Sequence, residues 1–146
     1  MRSTFRYMVY VLLLLVPFIY GYLVNTMKIP LFPFVMQIVF LVFWFYVGFL
    51  FSKWEAPAWK SFLLGNSLWL LFFILFIWQF ILLGDDSRSM DVAFLSQHYM
   101  LAFVYGAARL LPFVKSGTFI MFGAYIMMLA IFSLGYFINK RKIVGQ

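Results

Sequence analysis

The chain has no cysteine and a single histidine, and only 4 of its 146 residues are acidic. Without thiols it has no disulfide, no thiolate nucleophile, no iron–sulfur ligation and no thiol redox relay. One histidine cannot supply a bis-histidine haem or an ordinary zinc site, which needs three or four N, S or O ligands. No metal or other cofactor is therefore expected. Charge of either sign is scarce, at 10% of residues, against about 25% in soluble domains. Such a chain could not cover a globular core with a polar shell.

What is abundant is apolar: 66% of the residues are hydrophobic, with 21 phenylalanines. A helix crossing a hydrocarbon layer ~30 Å thick needs about 20 mostly apolar residues. Residues 7–24, 34–51, 62–83 and 118–138 meet that requirement, and only amides, serine and glycine interrupt the third. The fold class expected is all-α, a polytopic transmembrane bundle forming one integral membrane domain.

Arg2 and Arg6 before an apolar run imitate a secretory signal peptide. A cleavage site needs small residues after the run, and Gly21 to Thr26 offers mainly bulky ones, so an uncleaved anchor helix is expected. Pro17 should kink it. Pro30 and Pro33 should stiffen the first connector, and Trp54 and Trp59 suit the headgroup layer in the second. The five tryptophans and nine tyrosines together read as interfacial belts. The nine methionines read as core filler.

Orientation follows from the basic residues. With the N-terminus inside, Arg2, Arg6, Lys53, Lys60, Lys140, Arg141 and Lys142 face the cytoplasm, against Lys28, Arg88, Arg109 and Lys115 outside. Both termini are therefore expected in the cytoplasm, and short connectors fit a bacterial cytoplasmic membrane. The net charge of +7 is read as headgroup attraction and orientation, not as affinity for nucleic acid.

The third connector, Gly84 to Gly117, is unusually long. It opens on Asp85, Asp86 and Arg88, with Ser89 placed as a helix cap. Residues 90–111 follow as a helix with Asp91, His98, Ala102, Tyr105 and Arg109 on one stripe. Two arrangements fit: an outer amphipathic or re-entrant helix beside four spans, or a fifth span. A fifth crossing would place Lys140-Arg141-Lys142 outside and set polar groups in the membrane, at roughly 2.5–3.5 kcal/mol for a central Arg or Asp. Four spans plus the outer helix is the preferred expectation.

That topology brings Asn25, Gln37 and Gln79 to the level of Asp85, Asp86, Asp91, His98 and Arg109. Polar groups in lipid need protein or water partners, so an outward polar patch is expected. It reads either as interhelical hydrogen bonding or as a ligand cavity. Aspartates 85, 86 and 91 have no defensible metal-site spacing, and suit a solvated turn and the dipole of the next helix. Asp91 could orient His98 as a general base, although a lone histidine on an apolar helix more often packs at an interface. No phosphate loop, nucleophile elbow or zinc helix is present. The Glu-x-Arg-x-x-Arg-Ala-His-x-Asn pattern of small glutathione- and eicosanoid-processing enzymes is missing too. So are the motifs of small fluoride channels, and the intramembrane acid that proton-coupled exporters use.

The functional expectation is a non-enzymatic accessory or interaction subunit of a membrane assembly, with lipid, other subunits or a second copy as partners. Small residues at packing spacing, Ser61 with Gly65 and Ala102 with Gly106, agree with it. The alternatives are a small transporter, channel or immunity-type protein working through the polar patch, and a lipid-headgroup enzyme. The second alternative predicts that Asp85, Asp86, Asp91 and His98 converge.

Overall fold

The computed structural model describes residues 2–27 and 32–144, with side chains described for 7–27 and 32–141. The expectations for Lys28 and Pro30, and for the side chains of Arg2, Arg6 and Lys142, lie outside these residues. Among the described residues there is no strand. Six α-helices follow in order: α1 (Arg2–Met27), α2 (Pro33–Ser52), α3 (Ala58–Gly65), α4 (Ser67–Ile77), α5 (Met90–Leu110) and α6 (Gly117–Val144). A π-helical turn, Trp78–Leu82, ends α4, and a 3-10 turn, Asp85–Ser87, precedes α5.

Tyr7–Met27, Pro33–Ser52 and Gly117–Arg141 are each long and apolar enough to cross a membrane. α1 continues through Pro17, and Pro33 starts α2 at a position where its missing N–H is no loss. The segment expected as one unbroken helix over 62–83 is instead two helices bent by 54° at Asn66. The cause is local competition for carbonyls. The Asn66 side chain donates to the Phe62 carbonyl at 3.0 Å and the Ser67 hydroxyl to Leu64 at 2.8 Å. Gly65 supplies a soft point beside them.

Directions follow from the paired side chains. α1 and α2 are antiparallel: Tyr7 stacks on Trp54 at 4.2 Å, and Tyr20 lies 4.8 Å from Phe40. α2 and α6 are parallel, since Gln37 meets Met127 at one end while Ser52 meets Asn139 at the other. The bent pair runs against α6, with Ser61 bonded to Tyr136, Trp69 to Tyr125, and Phe73 beside Phe122. The end of the π turn and the starts of α2 and α6 therefore share one end of the bundle.

α5 begins and finishes at that same end. Its first residues are held by Gln79, and its last turns pack on Gln37 and Gly123. Between them it lies across the bundle against α1, α2, α4 and α6. Ala93, Ser96, His98, Ala102 and Ala107 are buried. The expected polar stripe is thus not a continuous wet face: Asp91 and Arg109 are exposed at its ends while His98 and Ala102 are covered. Small side chains on α5 let four neighbours close over it. The expected Ser89 cap also differs. Ser89 occupies the cap position, but its side chain makes no capping bond.

The core is aromatic. Trp44, Phe51, Phe76, Tyr99, Phe103, Tyr125, Phe132 and Tyr136 are all at most 1% exposed. The reading of tryptophan and tyrosine as interfacial belts is therefore corrected for Trp44, Tyr99, Tyr125 and Tyr136. Trp54, which stacks on Tyr7, and exposed Trp59 stand at the opposite end of the bundle from α5. The exterior carries Leu12, Val42, Ile74, Leu110 and Phe119 in exposed positions, an apolar surface far larger than a water-soluble monomer shows.

Candidate functional site

The polar side chains singled out in the sequence gather at the α5 end, but not at one point. Gln37 lies in the second turn of α2 and is 5% exposed. Its Oε1 accepts the Gly106 N–H at 3.0 Å, and its Nε2 donates to the Met127 thioether at 3.5 Å. A Cβ on Gly106 would stand 2.7 Å from the Gln37 Cδ, so a larger residue there would push the amide aside.

Gln79 clamps the other end of α5. It sits fully buried in the π turn, and its Oε1 accepts the Ser89 N–H at 2.9 Å. Its carbonyl accepts from Arg88 Nε at 3.0 Å. Arg88 pairs with Asp85 at 2.7 Å and lies 4.6 Å above the Phe80 ring. The π turn, closed by Leu83 N–H on the Trp78 carbonyl at 3.1 Å, is the kind of irregularity that re-aims a side chain. The Gln79 Nε2 has no partner among the described residues.

His98 is buried halfway along α5. Its backbone rests directly on Gly21, where any Cβ would overlap the His98 carbonyl. Phe18, Tyr22 and Phe94 surround the ring at 5.8, 5.9 and 6.4 Å. Asn25, Asp85, Asp86 and Asp91 are exposed. Among the described residues no three His, Asp or Glu side chains stand close enough to share a metal ion. Arg109 is exposed, with its Nε donating to the Tyr105 hydroxyl at 3.1 Å.

Sequence reasoning missed a set of buried hydroxyl bonds that tie the helices. Tyr125 OH donates to the Ser96 carbonyl at 2.7 Å, and Trp69 Nε1 to the Tyr125 carbonyl at 2.9 Å. Tyr136 OH reaches the Ala58 carbonyl at 2.7 Å. The available signal was position: Tyr125 lies inside an apolar run, not at its boundary. Of the small-residue pairs, Ser61 with Gly65 marks a contact with α6, since the Ser61 hydroxyl bonds Tyr136 and Gly65 faces the Phe132 ring. In the other pair Gly106 receives the Gln37 amide and Ala102 is buried.

One cavity adjoins the C-terminal end of α5. It occupies about 590 Å³ between α2, α5 and α6, with Gln37 in its wall and Arg109 beside it. Leu110, Met127 and Ile131 continue it into a second apolar recess of about 510 Å³ along α6. Comparison of the chain with protein-family models, curated proteins and solved structures finds no match.

The amides' structural share is measurable. Gln79→Leu strands the N–H of the cap residue Ser89, and Gln37→Leu removes the side-chain bond that ties α2 to the Gly106 N–H inside α5. Each is expected to lower the unfolding free energy in an SDS titration by about 1 kcal/mol. Asn25→Ala and Asp86→Ala, at exposed positions, should stay within about 0.5 kcal/mol of the parent. Equal effects at all four would show that the fastening does not matter.

Proposed function

We propose that this chain is a non-enzymatic integral membrane protein, an accessory or interaction subunit of a larger membrane assembly. One observation carries the reading: both buried amides at the α5 end give their oxygens to backbone N–H groups, of Gly106 in α5 and of its cap residue Ser89. A transporter or enzyme needs convergent polar groups that meet a substrate. Here Gln37 and Gln79 sit at opposite ends of one helix and fasten it, while the aspartates stand in exposed positions. The apolar exterior is left for lipid and for neighbouring subunits.

Four spans, with α5 laid across the outer leaflet, fit the directions of the helices. Five crossings would set α6 antiparallel to α2, whereas the two run parallel and Lys140 Nζ reaches the Ser52 carbonyl at 3.4 Å. The ends carrying Lys53, Lys60, Lys140 and Arg141 thus coincide, which supports a cytoplasmic placement of both termini. A bacterial cytoplasmic membrane suits this bias.

The native chain has no cysteine, so single-cysteine labelling is unambiguous. Ser116→Cys in intact cells should react with an impermeant maleimide, and Gly145→Cys should react only after the cells are opened. Labelling of Gly145→Cys in intact cells would defeat the four-span reading. Purification in mild detergent should bring down a stoichiometric membrane partner, and an isolated monodisperse chain would defeat the subunit reading.

A further inference from the structure

We propose that the cavity between α2, α5 and α6 is a binding site for one anionic glycerophospholipid, with Arg109 on its phosphate. The inference rests on the placement of α5 in the outer leaflet given above. Phe34, Ile38, Leu41, Met127 and Ile131 give the cavity walls that suit an acyl chain. Its volume of about 590 Å³ lies within the ~300–1,000 Å³ typical of ligand sites.

Two polar groups make it more than a greasy crevice. The first is Arg109. Its Nε is engaged by the Tyr105 hydroxyl, but no carboxylate lies within 4.0 Å of it among the described residues, where Arg88–Asp85 is the one ion pair. Its terminal guanidinium nitrogens are thus available for the paired contact that arginine makes with phosphate. The second is Gln37, nine-tenths buried in the cavity wall. An amide nitrogen carries two hydrogens. Among the described residues the one acceptor of Gln37 Nε2 is the Met127 sulfur at 3.5 Å, a weak one. Gln37 lines a site whose walls are otherwise apolar, and an ester carbonyl of a diacyl lipid would give the second hydrogen an acceptor. Phosphate at the rim, ester one step deeper and hydrocarbon beyond is the order of groups along a glycerophospholipid. A basic recess between membrane helices is a known kind of headgroup site.

The test is native mass spectrometry of the full chain in dodecyl maltoside with equal amounts of dioleoyl phosphatidylglycerol and dioleoyl phosphatidylcholine. The parent should retain one phosphatidylglycerol per chain, roughly tenfold over phosphatidylcholine, because both lipids offer a phosphate but the choline cation of the second repels the Arg109 guanidinium. Arg109→Gln, at an exposed position, should keep its helicity and lose that preference. Ile131→Trp, which fills the cavity, should lose both lipids. Equal retention of the two lipids by the parent, unchanged binding in both variants, or a second copy of the chain in place of lipid would each overturn the site. If Gly145→Cys stays protected in intact cells while lipid selectivity is missing, the site alone fails. If Gly145→Cys is labelled, the topology beneath it fails.

Discussion

Gly135→Val is expected to separate α6 from α2 and to leave little monodisperse protein in detergent. A Cβ at position 135 would overlap the carbonyl of Phe45, and on the facing helix a Cβ at Gly48 would overlap the carbonyl of Phe132. The obstacle in both cases is backbone, which cannot rotate aside as a side-chain tip can. Overpacking costs about 1–3 kcal/mol and occasionally more, and this pair belongs at the upper end. Without a hydrophobic force between helices in lipid, close backbone approach is what holds them together. A contrast sharpens the prediction. Among the described residues nothing lies within 4 Å of where a Cβ on Gly84 or Gly117 would stand, so Gly84→Ala and Gly117→Ala should remain within about 0.5 kcal/mol of the parent. An SDS titration in which Gly135→Val unfolds at the parent midpoint would refute the close-approach account.

The helices themselves were legible in the sequence because hydropathy marks them. Residues 34–51 and 118–138 fall inside α2 and α6, and 90–111 matches α5 to within a residue. The break at Asn66 was not legible. It depends on which of several competing carbonyl bonds wins, and an amide inside an apolar run looks the same whether it bends the helix or bonds a neighbour. The level of Gln37 and Gln79 was readable by counting turns from the ends. Their targets were not, because Gly106 and Ser89 lie 69 and 10 residues away respectively. His98 illustrates the limit most plainly. Its stripe with Asp91 and Arg109 obeys helical spacing, yet burial of its middle came from Gly21 on a different helix. Periodicity reports which residues share a face, and only a partner decides whether that face is wet.

The largest loss from a single side chain is expected at Trp44. It is fully buried and contacts Tyr99 at 6.2 Å and Phe132 at 6.1 Å between ring centroids, so it joins α2 to both α5 and α6. Truncating Trp or Phe in a soluble core costs about 3–5 kcal/mol. Part of that figure is transfer from water, which shrinks when the unfolded chain stays in lipid. The remainder is lost dispersion contact around a cavity, which places Trp44→Ala near the lower bound, at about 3 kcal/mol. Trp44→Phe separates packing from polarity. The indole Nε1 has no partner among the described residues, so phenylalanine removes a buried donor without breaking a bond and keeps much of the ring contact. It should cost about 1 kcal/mol. Tyr125→Phe gives the opposite case, because that hydroxyl donates its one hydrogen to the Ser96 carbonyl at 2.7 Å, with the Phe72 carbonyl 3.2 Å away. Its loss should cost about 1–2 kcal/mol with almost no change in volume. If Trp44→Phe fell as far as Trp44→Ala in the same titration, shape would not be what α2, α5 and α6 share at this point.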